Sequence, residues 1–341
     1  MKTKPSSIPQ RQPQNILVTG GGGFLGGAIV RRLVQRGDRV ASFSRGFYPE
    51  LETIGVRQIC GDLADGGAVD NACRNIDLVY HAAARTGVWG PYDVYFKTNV
   101  AGTENILSAC RNHHVPRLVY TGSPSVVFNG RDMEGVDERA PYPDHYPAHY
   151  PQTKALAEQA VRRATGPDLK TIILRPHLIW GPGDNALVPR IIARAHRLVR
   201  VGDGRNRVDT VYIDNAAEAH IQAADRLREN PLLSGKVYFI SQDDPVPLWD
   251  MVDAILNAGG LPPVRRSVSK RTAWLMGLLL ESVYRLLQVS AEPLMTRFVA
   301  EELATSHWFD IGAAKRDLGY RPTVGTAEGL RRLAAWLREN K

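Results

Sequence analysis

Cysteine is scarce in this 341-residue chain: Cys60, Cys73 and Cys110 form neither an even set nor a CxxC pair. That argues against a disulfide framework and a structural zinc site, and points to a reducing, cytoplasmic compartment. Long hydrophobic runs are also missing. The most apolar stretch, Ala273 to Val289, is interrupted by Glu281 and Arg285, which disfavours a membrane-spanning helix. The 31 glycines and 22 prolines are scattered, so collagenous and low-complexity chains are excluded. No zinc-finger or RNP-type pattern accompanies the net charge of +8, and no nucleic-acid partner is expected. The cationic excess suits an anionic cofactor or an acidic surface instead. Met1 to Gln14 carries three prolines and no apolar run, and reads as a mobile tail rather than a signal peptide or anchor.

What is present is a globular composition, 43% hydrophobic and 23% charged, long enough for one large or two intimate domains. From Asn15 onward, short β-rich runs alternate with helical patterns. Ile16–Thr19, Arg39–Ser44, Val56–Cys60, Leu78–His81, Leu118–Thr121 and Thr171–Leu174 read as strands, with one more at Lys236–Ile240. Such alternation implies an α/β fold, a doubly wound parallel sheet covered on both faces. Past about Pro176, Gly- and Pro-rich loops separate helices. The expected division is a dinucleotide-binding domain over 15–176, with a returning part at about 205–245. A smaller, interleaved substrate-binding region then takes 177–204 and 246–341.

The first strand runs into Gly20-Gly21-Gly22-Gly23-Phe24-Leu25-Gly26 and then a helical pattern. The spacing Gly20-x-x-Gly23-x-x-Gly26 permits a tight turn, close approach of backbone to a pyrophosphate, and packing of helix on strand. The helix N-terminus offers free N–H groups to the phosphates. The second strand decides which dinucleotide. It ends Ser42-Phe43-Ser44-Arg45, without the carboxylate that holds a ribose 2′-OH. Ser44 and Arg45 can instead hold a 2′-phosphate, so NADP(H) is expected over NAD(H). Asp62, after the third strand, is placed either to meet the adenine or to cap the following turn.

Tyr150-Pro-Gln-Thr-Lys154 puts a phenol and an ammonium on one helical face. A nearby cation favours the phenolate and brings a group that ordinarily titrates near 10 towards the working range. Ser123 follows the fifth strand, at the carboxyl end of the sheet where ligands bind, and can hydrogen-bond a carbonyl or alcohol oxygen. Ser125 is a rival for that role. Asn99 lies in a helical pattern approaching the same region.

Thr19-Gly20-x-x-Gly23-x-x-Gly26, His81-Ala82-Ala83-Ala84, Asn99, Ser123, Tyr150-x-x-x-Lys154 and Arg175-Pro176 together resemble an extended short-chain dehydrogenase/reductase with a Rossmann fold. More narrowly, they resemble the 3β-hydroxysteroid dehydrogenase-like branch. Further matches lie at Trp180-Gly181-Pro182-Gly183-Asp184, Val211 to Ala216 and Ala314 to Pro322. Within the branch, Ser44 to Leu51, Thr86 to Asp93 and Leu178 to Asn185 are similar to reductases of long-chain 2-alkyl-3-oxoalkanoic acids in bacterial olefin biosynthesis. The resemblance implies Tyr150 as catalytic acid, Lys154 tuning it and holding the nicotinamide ribose, Ser123 orienting the reacting oxygen, and Asn99 helping to position Lys154. It also implies cofactor contacts from Phe24, Leu25, Leu63, Ala82, Ala83 and Pro176, and a homodimer through the helices after Tyr92 and Tyr150. Gly122 departs from the pattern, standing where many relatives carry Ser or Thr. A sterol or steroid 3β-dehydrogenase and a non-catalytic NADP-sensing protein are the alternatives.

For a lipid-like β-keto acid, Arg85 and His177 are candidates for the carboxylate, and Trp89, Tyr92 and Trp180 for an apolar wall. No other His, Asp or Glu stands at metal-ligand spacing with His177, and no metal is expected. Two amphipathic segments remain. Leu275, Met276, Leu279, Leu280, Val283, Leu286 and Leu287 share one helical face, with Glu281, Arg285 and Gln288 opposite. Arg190, Arg194 and Arg197 share a face opposite Val188, Ile191, Ile192 and Val199. Each segment either packs on the core or, for the first especially, covers a long-chain substrate, a membrane or a partner enzyme of the same pathway.

Overall fold

The computed structural model describes residues 12–340. The expected tail, Met1 to Gln14, falls outside the described residues through position 11. Seven parallel strands form the large sheet: β1 (Asn15–Thr19), β2 (Arg39–Ser44), β3 (Arg57–Cys60), β4 (Leu78–His81), β5 (Arg117–Thr121), β6 (Lys170–Pro176) and β7 (Val237–Ile240). Their order is β7-β6-β5-β4-β1-β2-β3. All seven were legible as short apolar runs. The order reverses between β1 and β4, so the crevice at their carboxyl ends is the topological switch point where such sheets bind ligands.

Alternating side chains divide the core between the two faces. Ile16, Val18, Tyr80, Val119 and Ile172 pack under α1 (Phe24–Gln35) and α5 (Ile213–Glu229). Leu17, Val79, Leu118 and Ile173 pack under α2 (Gly66–Ala72), α3 (Gly102–Asn112) and α4 (His149–Ala164). Arg32 of α1 bonds Asp214 of α5 at 2.9 Å, and Arg36 bonds Asp225 at 2.8 Å, fixing the two helices side by side. Asn215 of the same helix accepts from the Thr323 and Val324 amides and donates to the Val324 carbonyl. The Val211–Ala216 motif therefore joins the large sheet to the C-terminal segment.

A second sheet is assembled from distant pieces, Val246–Pro247, Arg207–Val208, His307–Phe309 and Met133–Val136 in that order. Around it lie α6 (Leu248–Ala258), α7 (Lys270–Leu286) and α8 (Arg297–Ala304). Among the described residues no helix is long and apolar enough to cross a membrane.

Candidate active site

The glycine turn has the shape its spacing predicts. Gly20 takes φ +70°, a backbone that side chains resist, and the Gly23 amide donates to its carbonyl at 2.8 Å. A Cβ on Gly26 would collide with that same carbonyl oxygen. Gly23 caps α1 without any side-chain hydrogen bond, so the first amides of the helix stay free to face an anion. The turn thus fits a pyrophosphate. Gly22 is also obligatory, because the Tyr48 ring lies against it; Gln58 pins Tyr48 by bonding both its amide and its carbonyl, at 2.8 and 2.9 Å.

Ser44 sits at the tip of β2 with its hydroxyl 3.4 Å from the Gly22 amide. Arg45 beyond it is exposed and makes no ion pair among the described residues. Asp62 caps its own turn, accepting from the Ala64 amide at 2.9 Å, and stays exposed. Leu63 is buried, its Cβ filling the space that a side chain on Gly102 would need. Phe24 and Leu25 are half-buried at the start of α1, and Ala83 packs on Gly20.

Between the turn and Ser123 lies β4. Its buried His81 shares a 2.7 Å hydrogen bond with Thr19 and a 3.0 Å bond with Thr103. Burial, with Lys154 near by, pushes this imidazole down to about 3, so it is a neutral crosslink. With β4 the single strand between them, the ends of β1 and β5 stand roughly 10 Å apart, two strand spacings.

Ser123 and Tyr150 come together. The Ser123 hydroxyl lies close enough to the Tyr150 phenol to favour the phenolate, which partly offsets the rise in phenol pKa caused by burial; the Glu302 carboxylate adds to that rise. Ser125 shares a 2.8 Å bond with Ser123, so the rival hydroxyl supports the first. Lys154 follows on α4 but is turned into the sheet. Its ammonium donates to the Tyr120 hydroxyl at 2.8 Å and the Thr121 carbonyl at 2.6 Å. Burial pushes Lys154 down to about 7, opposed by Glu158. The phenol is therefore raised rather than lowered, contrary to the expectation from spacing alone.

Asn99 lies in a π-helical turn, Phe96–Ala101. It clamps the backbone of Arg85, accepting from its amide at 2.7 Å and donating to its carbonyl at 3.0 Å. It also donates to Thr153, the residue before Lys154, at 3.0 Å. Asn99 thus ties the loop after β4 to α4.

Sequence reasoning left Glu158 without a role. It lies four residues beyond Lys154, at a spacing that shares one helical face, and this is the signal that would have found it. Glu158 grips Arg175 through two contacts, 2.5 and 3.1 Å, with both side chains essentially unexposed, and accepts from the Tyr142 hydroxyl at 2.8 Å. Gly122 now has an explanation. A Cβ there would stand 2.9 Å from a Glu158 oxygen and 3.1 Å from the Leu174 carbonyl, so the pair occupies the room a Ser or Thr would need. Glu302 was also unforeseen; burial pushes it up to about 7 against the pull of Arg190.

The substrate candidates separate. Trp180 is fully buried, its indole donating to Thr210 at 3.2 Å and its ring edge-on to Tyr212. With no surface to offer, it is core and is withdrawn from the apolar wall. His177 packs its ring against His307 and Phe309, centroids 4.9 and 5.4 Å away, and burial beside His307 holds it well below its usual pKa. A neutral ring is poorly suited to holding a carboxylate by charge. Arg85 is exposed. Tyr92 lies edge-on to His149, next to Tyr150, and Trp89 bonds the Val289 carbonyl at 3.1 Å. Arg190 and Arg194 both pair with Glu292. Among the described residues no group of three or more His, Cys, Asp or Glu gathers as a metal site.

Residues 17–269 match the model of the 3-beta hydroxysteroid dehydrogenase/isomerase family. The chain is 50% identical over 324 residues to a 2-alkyl-3-oxoalkanoate reductase of Stenotrophomonas maltophilia, covering 94% of this chain and 98% of that one. It is 36% identical over 340 residues to a decarboxylating sterol-4-alpha-carboxylate 3-dehydrogenase of Schizosaccharomyces pombe, covering 96% and 99%. Among solved structures it resembles MoeE5 in complex with UDP-glucose and NAD, with a TM-score of 0.73 and 25% identity over 96% of this chain and 99% of that one.

Proposed function

We propose that this chain, which belongs to the 3-beta hydroxysteroid dehydrogenase/isomerase family, reduces long-chain 2-alkyl-3-oxoalkanoic acids to the 3-hydroxy acids with NADPH, in olefinic hydrocarbon biosynthesis. It is an oxidoreductase of the nicotinamide-dependent kind. The observation that carries the reading is the approach of the Ser123 hydroxyl to the Tyr150 phenol, at the carboxyl edge of the sheet that also presents the glycine turn. The extent of identity to the 2-alkyl-3-oxoalkanoate reductase names the substrate class.

When bound, the nicotinamide supplies hydride to the ketone carbon. Ser123 and Tyr150 converge on the ketone oxygen, where negative charge develops, and donors aimed there in advance are worth most. Tyr150 gives up the proton. Lys154, one helical turn away with its ammonium on Tyr120 and Thr121, favours the phenolate left behind while it is protonated, so its shift by burial to about 7 ties this role to pH near and below that value. Asn99 positions α4 through Thr153. The free first amides of α1 hold the pyrophosphate, with Gly20, Gly23, Phe24, Leu25 and Gly26. Ser44 and the unpaired Arg45 hold a 2′-phosphate, which favours NADP(H) over NAD(H). Asp62, Leu63, Ala82, Ala83 and Pro176 line the rest of the cofactor.

In this reading 15–176 and about 205–245 bind the dinucleotide, while 177–204 and 246–341 bind substrate, with Arg85, Trp89 and Tyr92 on its approach. The protein works in the cytoplasm as a homodimer through α3 and α4, whose groove is lined by Glu104, Leu107, Arg111, Ala160, Arg163 and Ala164, and in peripheral contact with membrane. A sterol 3-dehydrogenase is the second reading, favoured by the 36% identity to the yeast enzyme. The test is a spectrophotometric panel of NADP(H) and NAD(H) with 2-alkyl-3-oxo acids, their 3-hydroxy forms and 3β-hydroxysterols, with Tyr150→Phe as control. Turnover of the oxo acids with NADPH is expected. Turnover of sterols alone, or of nothing, would overturn the proposal.

A further inference from the structure

Of the apolar face of α7 only Leu280 packs, half-buried, against the core; the other six residues are exposed. The helix is held by its opposite stripe, Ala273, Gly277 and Glu281, all buried at four-residue spacing. Gly277 admits the chain at Thr296, whose carbonyl carbon would be 2.5 Å from an added Cβ. Glu281 grips Arg297 of α8 through its side chain at 2.8 and 3.0 Å and its amide at 2.7 Å. Trp274 donates to Glu301 at 3.2 Å. These contacts fix the rotation of the helix, and that rotation turns the leucines outward. Leu275, Leu279, Leu286 and Leu287 are 59, 63, 83 and 65% exposed, with Met276 and Val283 between them. Soluble surfaces rarely expose so continuous an apolar patch without a partner.

The charge around the patch says which partner. From Leu261 to Thr296 the chain has five cations, Arg265, Arg266, Lys270, Arg271 and Arg285, and two acids, Glu281 and Glu292. Glu281 is buried on Arg297, with Arg285 3.6 Å away, and Glu292 is held by Arg190 and Arg194. The cations are exposed. A second copy docking here by α7 would meet the four cations at the N-terminal end with no free acid of this segment to answer them, since Arg285 lies on the far face beside Glu281 and over Trp89. An outward leucine face flanked by Lys and Arg is instead the pattern of a helix lying in the interface of an anionic bilayer.

We propose that α7 docks the protein on an anionic lipid surface, its leucine face set into the boundary between headgroups and acyl chains. This deepens the peripheral-contact reading above and rests on it. The inner side of the same helix reaches the candidate site: Tyr284 lies edge-on to Trp89, and the Arg285 guanidinium lies over the Trp89 ring. A lipid-like substrate would thus arrive beside the Thr86–Gly90 loop rather than through bulk water.

The test is flotation of the full chain with vesicles of phosphatidylcholine alone or mixed with phosphatidylglycerol. Wild type should float with the mixed vesicles only, and added salt should release it. Leu279→Glu/Leu286→Glu and Lys270→Glu/Arg271→Glu should each weaken binding about tenfold or more, with melting temperature and vesicle-free turnover of a short-chain ketone unchanged. No flotation, equal flotation with neutral vesicles, or unaltered binding by both variants would overturn the proposal. So would sedimentation velocity showing that Leu279→Glu/Leu286→Glu dissociates a larger wild-type species, since a second copy would then cover the face. Flotation is read without turnover, so failure of the reductase reading registers separately.

Discussion

Replacing Glu158 by Gln keeps the shape of the side chain and removes its charge. Arg175 is then left as an uncompensated guanidinium with 1% of its side chain exposed, and its Nη1 already has no hydrogen-bond partner. Removing one member of a buried pair costs about 3–5 kcal/mol. At an unfolding entropy of about 2.1 cal/mol/K per residue, the melting temperature should fall by roughly 4–7 °C. Calorimetry measures this directly. A second effect separates charge from packing. Glu158 is the group that holds Lys154 up against burial, so Glu158→Gln should move Lys154 further down. The pH profile of NADPH oxidation should shift to lower pH with it. Arg175→Met in the Glu158→Gln background should recover part of the lost stability, because the unpaired charge is gone. An unchanged melting temperature in Glu158→Gln, or a double variant as unstable as the sum of the singles, would refute the reasoning.

Tyr150→Phe should lower kcat by about 10²–10⁴-fold, the usual span for a lost general acid, while NADPH binding measured by nucleotide fluorescence stays within error of wild type. Lys154→Met tests the buried ammonium. Between its folded pKa of about 7 and its ordinary 10.5, the unfolded chain holds a proton that the folded chain sheds, so wild-type stability rises with pH across that window. The variant lacks this rise, and its stability relative to wild type, from urea titrations, should fall by about 4 kcal/mol from the lower to the upper end. Gly26→Ala places a Cβ against the Gly20 carbonyl and should weaken NADPH binding, by calorimetric titration, roughly tenfold or more, the equivalent of about 1.4 kcal/mol.

The features legible in the amino-acid sequence are those encoded by near neighbours. Seven β-rich runs became the seven strands, because a strand needs only a short stretch of β-formers, apolar throughout where both faces are covered and mixed in the edge strand Arg57–Cys60. The glycine turn and the Tyr150–Lys154 face follow from local geometry in the same way, and Ser123 from its place just past a strand. Tertiary structure decided everything that depends on what lies opposite. A helical wheel locates the leucine stripe of α7, but the close approach at Gly277 and the Glu281–Arg297 pair decide that the stripe faces outward. Trp180 reads equally as wall or core until Thr210 and Tyr212 enclose it. Gly122 reads as a departure until Glu158 and Arg175 fill its space. Lys154 reads as a partner for the phenol until Tyr120 and Thr121 draw its ammonium into the sheet. Periodicity specifies which side chains share a face. Only the packed chain specifies what that face meets, because its partners come from residues far away in sequence.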